Sequence, residues 1–256
     1  MVTKYIKKIF FQKLKIDYNM KYKTNFFIEL LIIYIIYMVY VILYIILILL
    51  LIFIFFKNKN MEPFSSVENI ILLGDSVFKN NLYVSGKNSV EDILHRRIPY
   101  LLNNSQDGAV IVDLYSQMEK IPVSLNNTNT NIFVSTGGND LINYYFNKNI
   151  SNSNLYIIDD MFQKYIKFID SLCVKMDKCN IVLLDIYYPK SKQYIEYYPF
   201  IKIWNKKLYN LSKLKELEIL KISDTMSEED DFTHHIEPSI KGGNKIATAI
   251  CDYSTL

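Results

Sequence analysis

The sequence predicts an α/β domain on a mostly parallel sheet, preceded by one transmembrane helix, and three observations predict it. Four short apolar runs, NIILLG (69–74), NIFVST (131–136), NIVLLDIYY (180–188) and LEILKIS (217–223), each end at polar or turn residues. Such near-continuous apolar runs are what strands buried on both faces look like. Helix-patterned segments separate them, and strands alternating with helices imply a parallel sheet with its ligand site at the carboxyl ends of the strands. Residues 30–56, LLIIYIIYMVYVILYIILILLLIFIFF, contain no charge, no Pro and no Gly.

The apolar run comes first in the chain. As a helix it is roughly 40 Å long, against a hydrocarbon core of roughly 30 Å. A signal-peptide core is about 7 to 15 residues and leads to small residues at a cleavage site. This run is longer, and no such site follows. A buried core helix is rarely apolar on every face for this length. Residues 30–56 are therefore expected to span a membrane.

Orientation follows from the flanks. Residues 1–25 carry seven lysines against one acid, Asp17, while Lys57 and Lys59 on the other side are followed by Glu62 and Glu68. Excess Lys marks the cytoplasmic side. The reading is a basic cytoplasmic segment (1–29), the span (30–56), a linker (57–68) and a lumenal or extracellular domain (69–256). The opposite topology, with the domain in the cytosol, is the rival. The chain's net charge of +3 resides in this basic flank, and residues 26–256 carry a net −3. No basic patch interleaved with aromatics argues for nucleic-acid binding.

Cys173, Cys179 and Cys251 give no disulfide framework and no metal spacing. A Cys173–Cys179 bridge is conceivable on the lumenal side, and free buried thiols are the alternative. Asn103, Asn126, Asn149 and Asn210 head sequons that a lumenal domain could carry glycosylated.

Within the domain, SVEDILHRRI (89–98) opens on Ser89 with Glu91 and Asp92 in its first turn, a helix N-terminal signature. NLYIIDDMFQKYIKFIDSLCVKM (154–176) places Ile157, Met161, Ile166 and Ile169 roughly on one face. SIKGGNKIATAICDY (239–253) follows Pro238 with a stripe of Ile240, Ile246, Ala247 and Ile250. Two polar motifs then fall on one rim of the sheet. Gly74-Asp75-Ser76 closes the first strand, and Gly137-Gly138-Asn139-Asp140 follows the second.

Ester hydrolysis by a serine needs a nucleophile, a base in hydrogen-bond reach, a carboxylate to fix the imidazole tautomer, and oxyanion donors. Ser76 can be the nucleophile. DFTHHIEPSIKGG offers Asp231 and His234 three residues apart, and the order Ser, Asp, His is that of α/β-sheet hydrolases. Candidate oxyanion donors are the backbone N–H groups of Ser76 and Gly108 and the amide of Asn139. Asp75 and Asp140 read as loop-tying carboxylates, His95 and His235 as exposed residues, and Trp204 as helix core or pocket wall.

GDS after the first strand, the Gly of DGA, GGND and DFTH are four ordered blocks, and with them the sequence resembles the SGNH (GDSL-like) hydrolase family over residues 69–250. The resemblance implies a three-layer α/β/α sandwich with a mostly five-stranded parallel sheet and no cofactor or metal. It implies Ser76 as nucleophile, with Ser76, Gly108 and Asn139 as the oxyanion hole, His234 as base and Asp231 as its orienting carboxylate. It also implies a helix over 111–120, where AVIVDLY alone reads as a strand by its β-branched content.

The sequence departs from the common pattern in three places: Val77 replaces the Leu of GDSL, His235 rather than Pro follows His234, and Asp231 sits in the acidic SEEDD. The implied activity is cleavage of carboxylic esters of small molecules, lipids or acylated glycans through an acyl-enzyme. The alternative is a non-catalytic, membrane-anchored surface module that retains the fold.

Overall fold

A computed structural model describes residues 34–50, 69–147 and 155–254. The chain divides into two compact units, residues 1–62 and 63–256. In the first, residues 34–50 form helix α1, whose side chains are almost all exposed, as at Tyr37 (63%) and Tyr40 (69%). Among the described residues, no helix is long and apolar enough to cross a membrane. Residues 30–33 and 51–56 of the expected span, the basic segment 1–29, the linker 57–68 and the Asn149 sequon lie outside the described residues.

The second unit carries a five-stranded sheet in the order β2-β1-β3-β4-β5, every pair parallel. Its strands are β1 (Asn69–Gly74), β2 (Tyr100–Asn103), β3 (Thr130–Ser135), β4 (Asn180–Leu184) and β5 (Glu218–Leu220). The helices are α2 (Val90–Arg97), α3 (Asp113–Glu119), α4 (Gly138–Asn147), α5 (Leu155–Lys175), α6 (Tyr198–Lys215), α7 (Ile222–Thr225) and α8 (Ile240–Ser254). A two-residue antiparallel pair, β6 (Phe232–Thr233) with β7 (Glu237–Pro238), precedes α8.

Side chains alternate across a strand, so the central strands feed two cores. Ile71, Leu73, Ile132, Val134 and Leu183 point to one face, packed with the apolar residues of α3, α5 and α6 around Phe168 and Trp204. Ile70, Leu72, Phe133, Val182 and Leu184 point to the other, against Val90, Leu94, Ile246 and Ile250 of α2 and α8. Each fully buried side chain of this size stabilises by about 1.5–3 kcal/mol relative to exposure. The α/β/α layering is the consequence.

The four apolar runs all contain strands of this sheet, and the fifth strand is YLLN at 100–103. It carries no continuous buried run because it is an edge strand, with Tyr100 65% exposed. Two of the expected strands end early. After Leu184 the Asp185 carboxylate draws in the next segment, its Oδ1 accepting the Ser223 N–H at 2.9 Å and its Oδ2 the Ser223 hydroxyl at 2.5 Å. LEILKIS thus splits into β5 and the short α7.

AVIVDLY is not a strand. The Asp113 carboxylate accepts the Val110 N–H at 2.9 Å, and α3 starts there with Leu114 buried while the preceding Val112 is 69% exposed. Ser89 does cap α2. Its hydroxyl accepts the Asp92 N–H at 3.1 Å, and Asp92 accepts the Ser89 N–H at 3.1 Å, an arrangement typically worth about 1 kcal/mol.

All three cysteines are free and part-buried. The Asn103 amide lies in β2 and donates to the Phe78 carbonyl at 3.4 Å, the Asn126 amide donates to Asp177 at 2.8 Å, and Asn210 is exposed on α6.

Candidate active site

The rim is built first by backbone geometry. Gly74 pairs with Ser135 across β1 and β3, and a Cβ at Gly74 would stand 2.1 Å from the Ser135 carbonyl oxygen. Only glycine lets the two strands stay in register at this point. Just beyond it, Val77 N–H donates to Asp75 Oδ1 at 3.1 Å, and Phe78 and Lys79 N–H both reach the Asp75 carbonyl at 3.2 Å. Asp75 thereby folds the chain into a tight turn that presents Ser76. Gln117, fully buried on α3, takes both backbone groups of Gly74. Asn205 does the same for Ile186 after β4, accepting its N–H at 2.9 Å and donating to its carbonyl at 2.8 Å. Two buried carboxamides therefore replace ladder hydrogen bonds where the strands end.

The second rim motif opens α4. Asn139 donates its side-chain amide to the Ala109 carbonyl at 3.0 Å, and the Asp140 carboxylate accepts the Ile111 N–H at 3.1 Å. Together they fasten α4 to the Gly108 turn. Gly108 has φ +71, with open space where a Cβ would project. Among the described residues, the backbone N–H groups of Ser76 and Gly108 have no hydrogen-bond partner. Gly137 lies against the Trp204 ring, 2.4 Å from a would-be Cβ. Trp204 itself is fully buried, edge-on to Phe162 at 5.1 Å.

A pocket opens over the carboxyl ends of β1, β3 and β4. Ser76, Asn139, Asp75 and Glu237 contribute polar groups to it, while residues such as Leu141, Ile186, Tyr187 and Ile236 form apolar walls. Among the described residues, no Lys, Arg or His lines it. Gly108 stands in the neighbouring loop rather than in the lining.

The other expected site residues lie elsewhere. Asp231 is fully buried, with its carboxylate 2.8 Å from the Lys245 ammonium and accepting the Glu228 N–H at 2.9 Å. His234 is exposed in the turn between β6 and β7, at φ +44, with its ring 5.5 Å from that of Tyr83. Asp231 and His234 do not hydrogen-bond to each other, and the ring of Tyr83 is the one side-chain partner of His234 among the described residues. His235, at φ +74, follows with Nδ1 3.3 Å from the Ser191 hydroxyl. Two consecutive left-handed residues reverse the chain so that Thr233 pairs with Glu237, and histidine is among the residues that tolerate this conformation.

The residue brought to Ser76 is Glu237, which sequence reasoning passed over. Ser76 and Glu237 line the same pocket, and the Glu237 carboxylate oxygen Oε2 is buried with no hydrogen-bond partner among the described residues. Burial pushes Glu237 up to about 7, against the opposing pull of the nearby Ser76 hydroxyl and with the Asp107 charge adding to the rise. Burial likewise pushes Asp75 up to about 7, opposed by the Val77 N–H and reinforced by the charges of Glu237 and Asp140. Asp140 rises to about 6, again mainly by burial. The only sequence signal for Glu237 was its place in IEPS directly before α8, and that names no partner.

No protein-family model matches the sequence, and no curated protein does. Solved structures do share the fold. A GDSL-like lipase from Bacteroides thetaiotaomicron superposes with a TM-score of 0.55 at 11% identity, over 77% of this chain and 93% of that one. A member of the lipolytic G-D-S-L family from Veillonella parvula gives 0.55 at 16%, over 72% and 96%. A catalytic mutant of an acetylxylan esterase from Geobacillus stearothermophilus gives 0.52 at 13%, over 74% and 94%. With its parallel five-stranded sheet between two helical layers, the second unit has the α/β fold of the SGNH (GDSL-like) hydrolases.

Proposed function

We propose that this protein is a serine ester hydrolase that forms an acyl-enzyme on Ser76. The observation that carries the reading is the placement of Ser76, held on a tight turn at the end of β1 and opening into a pocket. Ser76 Oγ attacks the ester carbonyl carbon, and the developing oxyanion meets the N–H groups of Ser76 and Gly108 and the free hydrogen of the Asn139 amide. The alcohol departs, and water then releases the acid.

The pocket favours a substrate class. Its walls are largely apolar and the groups in it that can carry charge near neutral pH are carboxyls, so it suits an uncharged acyl ester and disfavours anionic ones. Anchoring through residues 30–56, with the basic N-terminus in the cytosol, would hold the enzyme beside lipid or acylated-glycan esters. The length and uniform apolarity of that run support the anchor. Protease accessibility of the domain in sealed membranes tests the orientation.

The enzymatic reading is tested with a fluorophosphonate probe and short-chain acyl esters. Wild type should label and turn over, and Ser76→Ala should do neither. A folded wild type that does not label and cleaves no ester would refute it.

A further inference from the structure

We propose that Glu237, rather than a histidine, is the general base that takes the Ser76 proton. The inference rests on the reading of Ser76 as an ester-cleaving nucleophile. Three observations carry it. Ser76 and Glu237 line the same pocket, Glu237 is only 7% exposed, and its carboxylate oxygen Oε2 is buried without a hydrogen-bond partner among the described residues.

The position of Glu237 is fixed from both sides. Asn80, fully buried, donates to the Pro238 carbonyl at 2.8 Å while accepting the Val90 N–H at 2.9 Å. Tyr187 donates its hydroxyl to the Ile236 carbonyl at 2.8 Å. The residues flanking Glu237 are thus tied to the loop that carries Ser76 and to the segment after β4. The other carboxyls nearby are committed: Asp75 to the Val77 N–H, Asp185 to Ser223 and Tyr209, and Asp107 to the Tyr83 hydroxyl.

The chemistry balances without a histidine. Glu237 accepts the Ser76 proton as Oγ bonds to the acyl carbon, and passes it to the alkoxide as the ester C–O bond breaks. It then takes a proton from water as hydroxide attacks the acyl-enzyme. When the acyl carbon–Oγ bond breaks, that proton returns to Oγ. A buried carboxylate with its affinity for protons raised toward neutrality is suited to both halves of this cycle. The groups facing Glu237 are Asp75 and Asp107 from the loops after β1 and β2, and Tyr83, Tyr187 and Tyr194. All are acids, and the group that pulls the other way is the Ser76 hydroxyl.

The test compares wild type, Ser76→Ala, Glu237→Gln, Glu237→Asp and His234→Asn in the full chain, by acyl-ester turnover from pH 5 to 9 with fold checked by circular dichroism. Asparagine is chosen at 234 because it keeps the left-handed turn. Glu237→Gln should lower kcat by roughly 10²–10⁴-fold and abolish the rise in rate through pH 7. Glu237→Asp should lose rate but keep a rise with pH, which distinguishes a missing base from a disturbed pocket. His234→Asn should keep both rate and pH profile. Wild-type turnover in Glu237→Gln, or a loss in His234→Asn as deep as in Ser76→Ala, would overturn the assignment. A wild type that neither labels nor turns over ester removes the hydrolase reading and this one with it.

Discussion

Gln117 grips both backbone polar groups of Gly74: its Oε1 accepts the Gly74 N–H at 2.7 Å and its Nε2 donates to the Gly74 carbonyl at 2.8 Å. This contact joins α3 to the end of β1, two residues before Ser76. Replacing Gln117 by Leu leaves the buried Gly74 N–H without its partner, at about 1–3 kcal/mol, while the Gly74 carbonyl keeps the Gln106 N–H at 3.0 Å. Urea denaturation of Gln117→Leu should show a loss of about 1–3 kcal/mol. Turnover should fall as well, because Ser76 loses its fixed turn.

Two glycines on the rim should differ sharply in their response to alanine. Gly74→Ala drives a Cβ into the Ser135 carbonyl and should abolish folding, since backbone in two central strands must move. Gly108→Ala meets open space and pays only for its positive φ, roughly 1–2 kcal/mol. Soluble yield and thermal melts separate the two. A Gly108→Ala protein that is folded but slow would implicate its N–H in the reaction.

Asp231 and Lys245 form a pair in which the carboxylate is fully buried. Lys245→Met should strand that charge and cost about 3 kcal/mol, the lower end for breaking a buried pair because the lysine is part-exposed. Asp231→Asn should also lower stability, with kcat in the surviving folded fraction near wild type. A large fall in kcat at unchanged stability would instead assign Asp231 a role in catalysis.

Stability and activity should run in opposite directions with pH. Glu237 and Asp75 titrate near 7 and Asp140 near 6 in the folded chain, against about 4 when unfolded. Between those values the native state holds more protons than the unfolded one, so its stability falls as pH rises. The contribution is full below about pH 4 and lost on passing through 6 to 7. At about 1.4 kcal/mol per pH unit for each group, the loss is on the order of several kcal/mol. Thermal melts from pH 4.5 to 8 should show it, and Glu237→Gln should flatten the slope. Activity needs Glu237 ionised and should rise over the same interval.

The sequence determined the layers. Continuous apolar runs name the buried strands of a parallel sheet, because a strand covered on both faces has no polar side to show. Ser89 and its acids fix where α2 starts, since its capping bonds lie within three residues. GDS and GGND fall on one rim because strand polarity puts every β-to-α turn at the same edge. Tertiary structure decided what could not be local. YLLN is a strand only because β1 offers an edge, and AVIVDLY runs into helix α3 rather than a strand, with Asp113 taking the Val110 N–H and Gln117 reaching back to Gly74. At the site, spacing brought Asp231 and His234 within three residues, which fixes chain distance and not direction. Two left-handed histidines turn the chain outward at His234 and back at Glu237, and Lys245 claims Asp231 from α8. The carboxylate that meets Ser76 comes from 161 residues further along the chain, selected by the fold of β7 against the β1 turn.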